Sequence, residues 1–84
     1  MNRELIINYI NKINDNDINK FLDKNNIILN KDEYDFLKTI IKEKYNDLLD
    51  ENIYLFKLIK DTINNDAYEK LIYLFDKYKV LIKE

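Results

Sequence analysis

The sequence predicts an all-α protein, one compact single-domain bundle of four to five short amphipathic helices spanning residues 1–84, and three observations carry that reading. Apolar residues recur three and four positions apart along most of the chain, the period of a helix with one buried face. The clusters that interrupt this period are rich in Asn and Asp, which cap helices and tolerate turns, while Gly and Pro are absent. The content, 46% hydrophobic and 36% charged, suits a folded domain and is too apolar for a disordered one.

Leu5, Ile6, Tyr9, Ile10 and Ile13 form the first stripe, so residues 3–14 read as a helix. Asn14, Asp15, Asn16 and Asp17 are cap formers, and Ile18, Phe21 and Leu22 follow them at helical spacing, giving a short second helix over about 16–25 that ends at Asn25 and Asn26. Ile27, Ile28 and Leu29 are too few for a helix and read as a buried connector. Asn30 with Glu33 has the form of a capping box, opening a third helix that runs to about Tyr45 with Tyr34, Leu37, Ile40, Ile41 and Tyr45 on one face. Asp50 reads as the next cap. In the helix over about 51–63, Ile53, Leu55, Phe56, Leu58, Ile59 and Ile63 cover more than half the circumference, the pattern of a central helix. Asp66 with Glu69 reads as a second capping box before a last helix reaching about Lys83, whose stripe is Ala67, Leu71, Leu74, Phe75, Tyr78, Leu81 and Ile82.

The same composition excludes much chemistry. Without Cys or His there is no thiolate nucleophile, no disulfide, no zinc site of the Cys/His kind and no imidazole to move protons near neutrality. Without Gly, neither a phosphate-cradling loop nor a dinucleotide fingerprint is present, so no cofactor is expected. Thr39 and Thr62 are the only aliphatic hydroxyls and have no base to activate them, so the chain is not expected to be an enzyme. Asp15, Asp17 and Asn19 resemble the start of a calcium loop, but Lys20 stands where Gly is needed and Asn26 where a bidentate Glu is needed, so no metal is expected. No apolar run approaches the length of a membrane span and the first residues do not resemble a signal peptide, which points to the cytoplasm.

Two surfaces remain as candidates. On the last helix Tyr73 and Val80 lie seven residues apart, away from the core stripe, with Asp76 and Lys77 around them, a pattern that suits a protein-interaction patch. Scattered exposed apolar side chains are the bland alternative. On the third helix Lys31, Lys38 and Lys42 project from one side, and the segment from the second helix into the third has the length of a helix-turn-helix, so these lysines are candidates for phosphate contacts. Against a nucleic-acid role stand Asp35 in the same stripe, the net charge of -2 and the presence of only one arginine, Arg3.

With the segments placed, the chain resembles an uncharacterised family, a domain of unknown function, of short all-helical proteins from low-GC Gram-positive bacteria. The resemblance covers about residues 6–82. It rests on INKINDNDINKFLDKNNIILNKDEYDFLKTIIK, with its short helix, Asn-Ile-x-Leu connector and capped third helix, and on the ending LIYLFDKY. The family's turn after the third helix is basic and contains Gly, where this chain reads KEKYND with Glu43 in the place of the Gly. The resemblance implies architecture and brings no catalytic residues. The reading as a whole is a cytoplasmic, non-enzymatic protein that binds another protein or itself, with nucleic acid as the alternative partner and no membrane or metal involved.

Overall fold

The computed structural model describes the backbone of residues 3–83 and the side chains of residues 3–77. Six helices follow one another: α1 (Arg3–Lys12), α2 (Asp15–Lys24), α3 (Lys31–Glu43), α4 (Tyr45–Leu49), α5 (Ile53–Thr62) and α6 (Asn65–Lys83), and the described residues contain no strand. The all-α class is therefore found, with six helices where the periodicity predicts four to five. The added element is α4: α3 stops at Glu43, the chain bends at Lys44, and Tyr45 starts a new helical turn instead of ending the old one.

Caps explain where each element begins. Asn14 accepts from Asp17 N at 2.9 Å while the Asp17 carboxylate accepts from Asn14 N at 3.1 Å, and Asn30 and Glu33 make the same reciprocal pair at 2.8 and 2.9 Å. Two predicted caps move. Asn52, rather than Asp50, accepts from the amides of Tyr54 and Leu55 at the head of α5. Asn64, rather than Asp66, accepts from Ala67 N at 2.8 Å at the head of α6, while Asp66 pairs with Lys70 at 3.0 Å. In both cases an Asn two residues from the expected Asp is the residue outside the helix with its side chain free to reach inward.

Helix ends are closed without glycine. After α2, Ile27 N donates to Leu22 O at 2.9 Å and Asn26 N to Asp23 O at 3.2 Å, with Asn26 left-handed at φ 56°. After α4, Asn52 N donates to Asp47 O at 3.0 Å and Glu51 N to Leu48 O at 3.2 Å, with Glu51 left-handed at φ 57°. Both are Schellman ends, and the first places Ile27 beside Leu22, both buried.

The core is Ile18, Leu22, Ile27, Leu37, Ile40, Leu55, Ile59, Ile63 and Ala67, with Ile13, Phe36, Leu48, Leu71 and Leu74 among the partly buried residues packed on it. Helices α3 and α5 share the centre, α3 packed against α1, α4 and α5, and α5 against α3, α4 and α6. The central role expected of α5 is thus shared with α3, whereas the connector departs from expectation, with Ile28 exposed between buried Ile27 and half-buried Leu29. On α1, Ile6, Ile10 and Ile13 face inward as expected, but Leu5 and Tyr9 are exposed and no residue is fully buried. On α6, Phe75 meets Phe56 edge-on with ring centroids 5.2 Å apart. Tyr78, Leu81 and Ile82 of the expected stripe lie outside the described side chains. The radius of gyration, 12.3 Å, matches the roughly 12 Å of a compact chain of this length.

Candidate functional site

Polar side chains account for much of the tertiary wiring. Glu33, besides closing its capping box, accepts from Asn64 N at 2.6 Å, and Asn64 Nδ2 donates to Ile28 O at 2.9 Å, so one carboxylate ties the head of α3 to the head of α6. The Asn30 amide, followed by the Asn64 groups, holds the Glu33 carboxyl below its ordinary range despite partial desolvation. On the other side of α3, Asp15 Oδ1 accepts from Tyr34 Oη and pairs with Lys38 Nζ, each at 2.8 Å. Lys38 and Tyr34 hold the Asp15 carboxyl low, and desolvation, then Asp15, pushes the Tyr34 phenol up to about 12.

This wiring takes up two of the three candidate phosphate-binding lysines. Lys38 is paired with Asp15, and Lys42 Nζ donates to the carbonyls of Ile10, at 3.0 Å, and Ile13, closing the end of α1. Lys31 extends into solvent, 86% exposed, in an i,i+4 pair with Asp35 at 3.4 Å. All three lie along α3, with the ammonium groups of Lys38 and Lys42 turned to protein oxygens. Arg3 is bound too, donating to Asp50 Oδ1 at 2.8 Å and to Asn46 Oδ1 at 3.2 Å. The hydroxyls of Thr39 and Thr62 donate to the Asp35 and Leu58 carbonyls one turn back. Among the described residues no buried side-chain nitrogen or oxygen lacks a hydrogen-bond partner, and no three His, Cys, Asp or Glu side chains gather as a metal would require. No helix of the described residues is long and apolar enough to cross a membrane.

The residues predicted for a patch on α6 are placed as follows. Tyr73 is 67% exposed and borders an open depression with Asn25, Asp66, Glu69 and Lys70, while Asp76 and Lys77 are exposed on the following turn. Val80 lies outside the described side chains. Lys70 closes the far side of the depression by donating to Asn26 O at 2.7 Å.

A second apolar surface includes Ile53 and Leu58, which the sequence reading counts with the apolar residues of a central helix. Leu55 and Ile59 of α5 are buried, but Ile53 is 74% exposed, Tyr54 81% and Leu58 50%. Tyr54 and Leu58 are one turn apart and Ile53 flanks them, so they share one outward face, with Lys57 and Asp61 among them. The signal was the apolar surplus itself: a helix apolar over more than half its circumference, in an 84-residue chain, has more apolar surface than one small core covers.

No family model, no curated protein and no solved structure matches this chain.

A second feature lies inside. A half-open cavity of about 260 Å³ sits where all six helices or their ends converge, lined by side chains from Ile13 to Phe75 that are apolar apart from the Tyr68 hydroxyl. Phe21 is the most exposed lining residue, while Ile18, Leu37, Ile40 and Ile59 are buried.

Proposed function

We propose that this chain is a small, cytoplasmic, non-enzymatic interaction module that binds another protein, a second copy of itself included, through the outward face of α5. The observation that supports this reading is the placement of Ile53, Tyr54 and Leu58 in solvent on the most apolar helix of the bundle. Exposed apolar residues gathered on one helix face, with charges at the rim, are what a partner's groove or helix takes up. Tyr73, with Asp76 and Lys77 nearby, extends the same reading to α6. Membership of the family of short helical proteins that the sequence resembles belongs with this proposal and is consistent with it, since the shared positions are caps and core.

The test is a double substitution, Ile53→Lys with Leu58→Lys, in the full chain. Both residues are exposed, so helicity by circular dichroism stays unchanged, while the mass by light scattering falls to that of a monomer or a partner captured by the parent chain is lost. Equal mass and an equal set of captured partners for both chains reject the α5 face. The nucleic-acid alternative uses Lys31, with Lys38 and Lys42 released from Asp15 and from α1. It predicts capture that disappears on nuclease treatment and weakens steeply with salt.

A further inference from the structure

We infer that the central cavity is a binding site for a hydrocarbon group of about ten carbon atoms, either a short acyl chain or a fused aromatic ring. Two observations carry this beyond the α5 face, whose residues take no part in the lining. The first is composition. The cavity is walled by Ile, Leu and Phe with one phenol, and no charged side chain or amide lines it, so it offers nothing to a phosphate, a sugar or a metal and everything to an apolar surface. The second is volume. An apolar protein cavity of about 150 Å³ takes a benzene ring and stays free of water when empty. In proportion, the 260 Å³ here takes about ten carbons.

The cavity is half-open, which lets such a group enter from solvent without unfolding the bundle and leaves any polar end outside. Its position also distinguishes it from an ordinary packing defect between two elements. Ile13 just after α1, Ile18 on α2, Ile40 on α3, Leu48 on α4, Ile59 on α5 and Leu71 on α6 all line it, so an occupant touches the five helices α2–α6 and the residue that follows α1. Recognition is by shape and apolar area, with no hydrogen bond to set orientation.

The experiment is a titration of the full chain, with the Ile and Leu methyl groups observed by NMR, using decanoate below its micellar concentration in one arm and naphthalene in the other. Binding in the cavity moves the methyls of Ile18, Ile59 and Leu71 to saturation, leaves buried Ile27 and Ile63 in place because they do not line it, and raises the melting temperature. Saturation by decanoate alone assigns an acyl chain, and by naphthalene alone a ring. Two variants that fill the space, Leu71→Phe and Ile41→Phe, each weaken binding by about tenfold or more while helicity is retained. Lining methyls that do not move in either arm overturn the inference. Shifts confined to exposed Leu5, Ile28, Ile53 and Leu58 overturn it equally, since they report surface adsorption.

Discussion

Helices α1 and α2 are neighbours in the chain, ten residues each, and they are held in place by opposite means. Helix α2 has its own fixings. A reciprocal Asn14–Asp17 cap opens it, a Schellman end at Asn26 and Ile27 closes it, and Ile18 and Leu22 are buried between them. Helix α1 has no fully buried residue, and its two ends are held by cations: Arg3 donates to Asp50 and Asn46, and Lys42 of α3 donates to the carbonyls of Ile10 and Ile13. The difference teaches that amphipathic period alone does not set how firmly a helix is held. Local caps and burial make α2 part of the cooperative core, whereas α1 depends on point contacts supplied from 29 to 47 residues away.

The largest effect that sharpens this contrast comes from truncating one residue on each helix. Leu22→Ala removes a side chain 5% exposed and costs about 3 kcal/mol, with a comparable drop in denaturation midpoint. Ile6→Ala on α1, at a half-buried site, costs about 1 kcal/mol. Equal losses in urea unfolding would show α1 to be as deeply integrated as α2 and end the comparison.

Next in size is the Lys42 contact. Lys42→Met keeps the aliphatic stem and removes the donor, leaving the carbonyls at the end of α1 without the ammonium at a cost of about 1–2 kcal/mol. Because the loss is local, hydrogen exchange accelerates in residues 3–12 while the amides of α2 and α3 keep their protection. A uniform loss of protection over the whole chain would mean that α1 and the core open as one unit.

These contacts also mark how far the sequence was legible. The Asn30–Glu33 box and the Ile18 and Leu22 stripe depend on residues three or four apart, and local spacing displays them. Lys42 on a polar face reads as a free cation because its acceptors lie 29 and 32 residues upstream, and no local pattern displays that. The same holds for Glu33, whose second role as acceptor for Asn64 spans 31 residues, and so the start of α6 was placed on Asp66. The exposure of Ile53 and Leu58 escapes the sequence for another reason. Hydropathy counts apolar residues but does not count how much surface the other helices have left to cover them, and the cavity is equally invisible because packing is a property of the assembled bundle.

A smaller effect follows from Glu33, on the firmly held side of the molecule. Its folded carboxyl is depressed by the Asn30 and Asn64 donors, so the unfolded chain takes up a proton before the folded one does. The stability it contributes is therefore complete above the ordinary carboxyl range and is lost as pH falls from about 5 through the folded value. Asp15, depressed mainly by Lys38, adds to the same acid limb. In Glu33→Gln the fall of melting temperature between about pH 5 and 3 is shallower than in the parent chain. An identical acid limb in both chains would show that the link between α3 and α6 is not carried by the charge.

The smallest expected effect separates the two Schellman ends, one on each side of the comparison. Both Asn26, after α2, and Glu51, after α4, are left-handed, at φ 56° and 57°. Asn tolerates this conformation because its short side chain interacts with its own backbone, whereas Glu keeps the full steric cost of its Cβ. The chain has no glycine anywhere to place at either site. Asn26→Gly is accordingly within about 0.5 kcal/mol of neutral, since relief of strain and added freedom in the unfolded chain offset one another. Glu51→Gly stabilises by about 0.5–1 kcal/mol, because the strain relieved is larger while the entropic cost is similar. The gain should appear as slower hydrogen exchange in α4, next to the Asn46 and Asp50 acceptors of Arg3, and so should tighten α1 as well. If instead both glycine variants shift the urea midpoint equally, left-handed strain at Glu51 is not what loosens the α1 side of the bundle, and the weakness of that side lies in its missing burial alone.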